Sequence, residues 1–161
     1  MVMKKQQGFT IIEVVLVLAI AGLIFLMVFI ALPALQRGQR DTGRKNDVST
    51  VTSALNTYLS NNKGTFNTLT ADAAGNARLQ AYIDSLGQYD VTSVTVATSS
   101  SNLSVSTSTI QVRTGAQCPA TTPAPGVVSN ITLGSGTSRQ AAVFTALENN
   151  GSSFQFYCQN I

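Results

Sequence analysis

The sequence predicts an α+β protein in which one long N-terminal helix, membrane-spanning in its first half and amphipathic in its second, packs on a C-terminal antiparallel β-sheet. Three observations predict it. Apolar residues run without a break from Val14 to Leu32. A helical stripe of apolar positions continues beyond Pro33, and from Val94 onward the chain alternates with period two, as strands do.

Composition narrows the class before any motif is read. Charged residues make up only 11% of the chain and there is no His, which excludes His-based catalytic triads and zinc sites. With 19 Thr and 16 Ser, hydroxyls rather than charges keep the surface wet, a balance that favours an extracellular protein over a cytosolic enzyme. Ten basic residues stand against seven acidic ones for a net charge of +3. Without Lys4 and Lys5 the count is eight against seven, too even to point to nucleic-acid binding, and a nucleic-acid partner is left open.

The apolar run Val14 to Leu32 would span about 28 Å as a helix, about one bilayer core. A secretory signal has a shorter apolar region and a small-residue cleavage site after it. Here the run is long, and Ile30-Ala31-Leu32-Pro33-Ala34-Leu35 leads on into helix-like sequence. Ahead of it stand Lys4-Lys5-Gln6-Gln7-Gly8 and then Phe9-Thr10-Ile11-Ile12-Glu13, which sets a carboxylate at the edge of the run. At membrane depth an ionisable group costs about 2.5 kcal/mol or more unless paired, whereas at headgroup level it needs no partner. Depth decides between these two readings of Glu13.

Val48, Val51, Leu55, Tyr58 and Leu59 recur at spacings of three and four and define the amphipathic half of the helix, with Asn61-Asn62-Lys63-Gly64 as its stop. Asp41 and Asp47 read as residues of an exposed spine beside Arg and Lys. A second helix is expected within Leu69 to Leu86, closed by Gly87. Strands are expected at Val94–Ala97, Leu103–Val105, Ile110–Val112 and Val127–Leu133. The last hairpin joins Ala142–Glu148 to Ser153–Gln159 through Asn149-Asn150-Gly151-Ser152, where Asn-Gly favours a type I′ turn. That register sets Val143, Thr145 and Leu147 opposite Cys158, Phe156 and Phe154 on one face, assigned to the core against the helix.

Cys118 and Cys158 are the only cysteines, and in a head outside the membrane they are expected to form a disulfide. Closing a loop of about forty residues would stabilise the head by roughly 4 kcal/mol in the chain-entropy model. The Pro-rich stretch Cys118 to Gly126 reads as a surface loop. Asn102, Asn130 and Asn150 open glycosylation sequons, a pattern that arises often by chance. The acids are dispersed, no catalytic constellation emerges, and neither a metal nor another cofactor is expected.

The leader Lys4 to Gly8, followed by Phe9-Thr10-Ile11-Ile12-Glu13 and an unbroken apolar helix, resembles the class III leader of type IV prepilins. The resemblance is sharp over about the first thirty-five residues and architectural beyond. It implies a pilin fold with a leader at 1–8, a polymerisation helix at 9–35, an amphipathic continuation at 36–62 and a globular head at 63–161 with a C-terminal disulfide region. It implies cleavage between Gly8 and Phe9 by a prepilin peptidase, N-methylation of Phe9, and an assembly pair between Glu13 and the Phe9 amine of a neighbour. It implies a homo-oligomeric helical filament, built by an assembly platform and ATPase from a single-pass precursor in the cytoplasmic membrane and displayed outside the cell. Gly22 and Pro33 mark places where the helix either unwinds in the filament or bends. The function so implied is that of a structural pilus subunit for attachment, motility or DNA uptake. The alternatives are a minor pilin, a type II secretion pseudopilin or, in a different class, a monomeric membrane-anchored adhesin or binding module.

The positive-inside rule reads both ways: Lys4 and Lys5 favour a cytoplasmic N-terminus, while Arg37, Arg40, Arg44 and Lys45 follow the span on its other side. The leader match and the tolerance of long C-terminal domains for translocation favour the first orientation.

Overall fold

The computed structural model describes residues 8–83, 93–97, 103–148 and 153–161. Helix α1, Ile11–Asn61, is assigned as one element through Gly22 and Pro33, although Pro33 has no N–H to offer the carbonyl one turn earlier. The chain divides into two compact units, Met1–Gln36 and Arg37–Ile161. In the first, the large apolar side chains of α1 from Ile11 to Leu35 are exposed, and this helix is long and apolar enough to cross a membrane.

The second unit is the head. The far end of α1 stops where Lys63 and Gly64 turn to positive φ, 56° and 70°, and the Gly64 amide reaches back to the Leu59 carbonyl at 2.8 Å. Gly64 takes this left-handed conformation without a Cβ penalty. Helix α2, Ala73–Gln80, is shorter than expected because Asp72 caps it, accepting from the Gly75 amide at 2.7 Å. Gly75 is required there, since a Cβ would run into the Thr70 carbonyl. The end of that expected helix, from Asp84 to Gly87, lies outside the described residues, as do the turn Ser99–Asn102 and the hairpin tip Asn149–Ser152.

The main sheet has the order β1-β2-β5-β6, formed by Ser93–Ala97, Thr109–Thr114, Ala141–Glu148 and Phe154–Asn160. It is mixed: β1 runs parallel to β2, while β2-β5 and β5-β6 are antiparallel. A second, two-stranded sheet joins β3, Ala116–Gln117, to β4, Gly134–Ser135. The strands expected at Leu103–Val105 and Val127–Leu133 reduce to one bridge between Leu103 and Ile131. These segments form an irregular layer whose regular pairing is limited to that bridge and the β3-β4 ladder.

Strand β5 explains the architecture. Every residue from Ala141 to Leu147 is buried, so both faces need cover. On one face Val143, Ile110, Val112 and Val96 pack against the α1 stripe Val48, Val51, Leu55 and Tyr58, with Phe66, Leu69 and Leu79 closing the edge. On the other, Ala142, Phe144, Ala146 and Phe156 pack against Leu103, Val105, Ala116, Ile131 and Leu133.

The hairpin register differs from the expected one by a single residue. Phe144 faces Cys158, Ala146 faces Phe156 and Glu148 faces Phe154. A one-residue slip moves a strand's whole set of side chains to the other face. Phe156 and Cys158 therefore join Phe144 in the irregular layer's core, while Tyr157 packs toward α1. An apolar run on both faces of β5 gives period-two reading nothing with which to fix the parity.

Phe144 is fully buried and its ring lies 5.6 Å from that of Phe156. Phe144→Ala in the full chain in detergent should lower head stability by about 3–5 kcal/mol, read as a shifted urea midpoint with an unchanged slope. Val127→Ala, at an exposed position, should stay within about 0.5 kcal/mol of wild type.

Candidate functional site

The N-terminus of α1 carries one arm of a capping box, the Glu13 carboxylate reaching back to the Thr10 amide, while the Glu13 amide donates to the Thr10 backbone carbonyl at 3.2 Å. Thr10 precedes the first helical residue, and Glu13 three positions on folds back so that its Oε2 accepts from the Thr10 amide at 2.8 Å and the Thr10 hydroxyl at 2.9 Å. The Thr10-x-x-Glu13 spacing is legible in the sequence, yet there Glu13 is read only through membrane depth and through the resemblance. Its other oxygen, Oε1, accepts no hydrogen bond among the described residues. Gly8, Phe9 and Thr10 are non-helical and exposed, Phe9 to 91%. Phe9 and Glu13 line one shallow groove with Val14, Val17 and Leu18. The structure thus offers an accessible backbone at Gly8-Phe9 directly before a capped apolar helix. Gly22 and Pro33 are both exposed on that helix.

In the head, Cys118 and Cys158 form a disulfide with Cα atoms 5.8 Å apart across a separation of 40 residues. It ties the Pro-rich loop to β6. The expected exposed spine is corrected at Asp41 and Asp47: Asp47 is 2% exposed, Arg44 1%, and Asp41 is half-buried. Arg44 reaches Asp41 at 2.9 Å, Glu148 at 2.7 Å and the Thr107 carbonyl at 3.1 Å. Arg40 meets the other oxygen of Glu148 at 2.6 Å, and the Glu148 amide donates to Asp41 at 2.7 Å. This cluster fastens the end of β5 to α1. It escapes sequence reading because Glu148 lies 104 and 108 residues from its partners.

Three comparisons frame these features. Residues 3–29 match the prokaryotic N-terminal methylation motif, the signal motif of type IV prepilin-like proteins. The match takes in Gly8, Phe9 and Glu13 and ends before the head begins. No curated protein and no solved structure matches the chain.

Hydrogen bonds and charge from Arg40 and Arg44 hold the Glu148 carboxyl well below its ordinary value of 4.5, at about 2, against a smaller opposing effect of burial. Since the folded-state value is depressed, the stabilisation is fully present above the unfolded value and is lost as pH falls through the folded one. Chemical denaturation should show wild type more stable than Glu148→Gln by a constant margin above pH 4.5, a margin that closes between 4.5 and about 2.

Proposed function

We propose that this chain is a structural subunit that polymerises through its N-terminal helix into an extracellular type IV pilus-like filament. The observation that carries the reading is the methylation motif over residues 3–29, set on an exposed Gly8-Phe9 junction ahead of a capped, membrane-length helix. The motif belongs to structural rather than enzymatic proteins.

A prepilin peptidase cuts after Gly8, where the lack of a side chain lets an active site approach the backbone closely, and Phe9 becomes the methylated N-terminus. The new amine, with a pKa near ~8, is cationic at neutral pH. In a filament core of packed apolar helices this charge needs a counter-charge, and Glu13 of a neighbouring copy supplies it. Oε2 stays on the Thr10 cap, so Oε1 is the oxygen open to the amine. Leaving either charge unpaired in such a core costs about 3–5 kcal/mol. Cohesion comes from helix-on-helix packing, and the work of extrusion from a partner ATPase and platform. Before assembly the subunit stands in the cytoplasmic membrane with its N-terminus inside. The disulfide in the head suits the oxidising side of that membrane.

The N-terminal mass of the protein in sheared cell-surface material tests the reading. A chain beginning at methylated Phe9 within filaments is the expected result, and a chain beginning at Met1 found only in membranes would favour the anchored binding module. Glu13→Gln and Glu13→Ala should both be processed normally and yield far less sheared filament than wild type; filaments at wild-type yield from either would remove the assembly role.

A further inference from the structure

Where the end of α1 meets the end of α2, the head has a cavity of about 340 Å³ lined by Tyr58, Asn62, Thr68, Arg78, Ala81 and Tyr82. Helical spacing assembles it. Asn62 follows Tyr58 by one turn at the stop of α1, and Tyr82 follows Arg78 by one turn at the stop of α2. The Tyr58 and Tyr82 rings meet edge to face, with centroids 5.4 Å apart at 74°. Tyr58 is 2% exposed and Tyr82 half-buried, so the aromatic wall is fixed by packing in the head core.

The polar side chains of the lining divide into two sets. One set is satisfied within the wall: the Tyr58 and Thr68 hydroxyls bond each other, the Thr68 hydroxyl reaches Asn62 Oδ1 at 3.5 Å, and Asn62 Nδ2 donates to the Tyr58 carbonyl at 2.9 Å. The other set is open, and it consists of donors. Arg78 uses only Nη1, which donates to the Thr68 carbonyl. Its Nε–Nη2 edge, the side of a guanidinium that grips a carboxylate through two parallel bonds, has no acceptor among the described residues. Nor does it form an ion pair among them. Asp72 feels the Arg78 charge but turns its Oδ1 to the Gly75 amide and the Thr70 hydroxyl. The Tyr82 hydroxyl meets only the Asn61 amide nitrogen, at 3.5 Å and as acceptor, which leaves its own hydrogen unused. A cation in the last turn of a helix suits the helix dipole, and that accounts for the charge of Arg78 and for Nη1. It does not account for an empty fork beside an unused phenol.

We propose that this cavity binds a small organic acid, a carboxylate on a ring-sized body. The carboxylate sits in the Arg78 fork, the Tyr82 hydroxyl donates to the ligand, and the body lies against Tyr82 and Ala81. The chemistry of the lining selects this class: the open groups are donors and one is a full cation, so the ligand brings paired acceptors and negative charge. The remaining wall is aromatic and apolar, as small-ligand sites of this volume are, so the ligand has more to it than its charge. An acidic sugar and a free ring acid present the same chemistry. The site lies wholly within the head and is independent of polymerisation through the N-terminal helix.

The test is a titration of the full-length, nitrogen-15-labelled chain in nonionic detergent, read by NMR at the Arg78 Nε–H and the Tyr82 amide. The probes are galacturonate, benzoate, galactose and inorganic phosphate. Galacturonate, benzoate or both should shift the two signals saturably, and which of them binds more tightly tells an acidic sugar from a free ring acid. Galactose, which lacks the charge, and phosphate, which lacks the body, should bind at least about tenfold more weakly. Arg78→Lys keeps the charge and removes the fork, and should weaken the acid, read at the Tyr82 amide, by about tenfold or more. Tyr82→Phe keeps the ring and removes the donor, and should weaken it by about three- to tenfold at the Arg78 Nε–H. Phosphate or galactose binding as tightly as the acids would overturn the proposal. So would unchanged affinity in Arg78→Lys, or no saturable shift from either acid in a wild-type chain whose Val143 amide is protected from exchange.

Discussion

A strand buried on both faces is the constraint from which the head follows. β5 carries Val143, Thr145 and Leu147 on one side and Ala142, Phe144 and Ala146 on the other, all buried. No single helix can cover both. The amphipathic half of α1 covers one face with a stripe three and four residues apart, and chain segments of little regular structure cover the other. Thr145 shows how exacting the arrangement is. Its hydroxyl, 1% exposed as a residue, is shared between the carbonyls of Ser106 and Thr109. A buried hydroxyl left without such a partner would cost about 1–3 kcal/mol. The irregular layer has few ladder bonds of its own, and the disulfide compensates by closing a 40-residue separation across it.

The same helix poses a charge problem as it enters the head. Arg40 and Arg44 follow closely on the apolar segment, and Arg44 is almost wholly removed from solvent. A lone guanidinium there would be prohibitive. Asp41, one turn away, and Glu148, at the end of β5, neutralise the pair. Lys45 lies over the Tyr157 ring at 5.7 Å. The basic cluster that confuses a count of flanking charges is therefore largely consumed by the folded head, two arginines against two carboxylates. Charge counting treats these arginines as free cations, and in the structure they are fastenings.

What the sequence makes legible is what local periodicity controls. The α1 stripe, the stop at Lys63-Gly64 and the presence of strands near 94–97, 110–112, 142–148 and 154–159 follow from spacing and turn residues alone. What it conceals depends on residues far apart in the chain. The parallel pairing of β1 with β2 is a matter of topology, since the segment Val94–Ala97 looks the same whichever way it runs. The hairpin parity is hidden because both faces of β5 are apolar, so the pattern fits either register. Asp41 and Arg44 look solvated because charged residues usually are, and only Glu148, folded back from the C-terminal hairpin, shows otherwise. At the N-terminus the balance reverses: the Gly8, Phe9 and Glu13 signal is compact and local, and the family match falls on it while ending before the head.

The Glu13 cap ties its own helix together with one side chain, and the proposed filament would draw on that same side chain. The first amides of any α-helix lack intrahelical partners, and at the head of an apolar segment such orphans are costly in a membrane or a filament core. Glu13 meets the Thr10 amide with one oxygen, a bond entirely within its own chain. A carboxylate has a second oxygen and a full charge, and those are what a neighbour's amine requires. The cap and the proposed assembly contact therefore do not compete for the same lone pairs. The internal cap also fixes where the other oxygen points, so in the proposed filament part of the ordering cost of that contact would be met when the helix folds. An amide in place of the acid would preserve the cap's acceptor and abolish the charge, whereas alanine would abolish both. Comparing those two substitutions separates what Glu13 does for its own helix from the contact proposed for it in a filament.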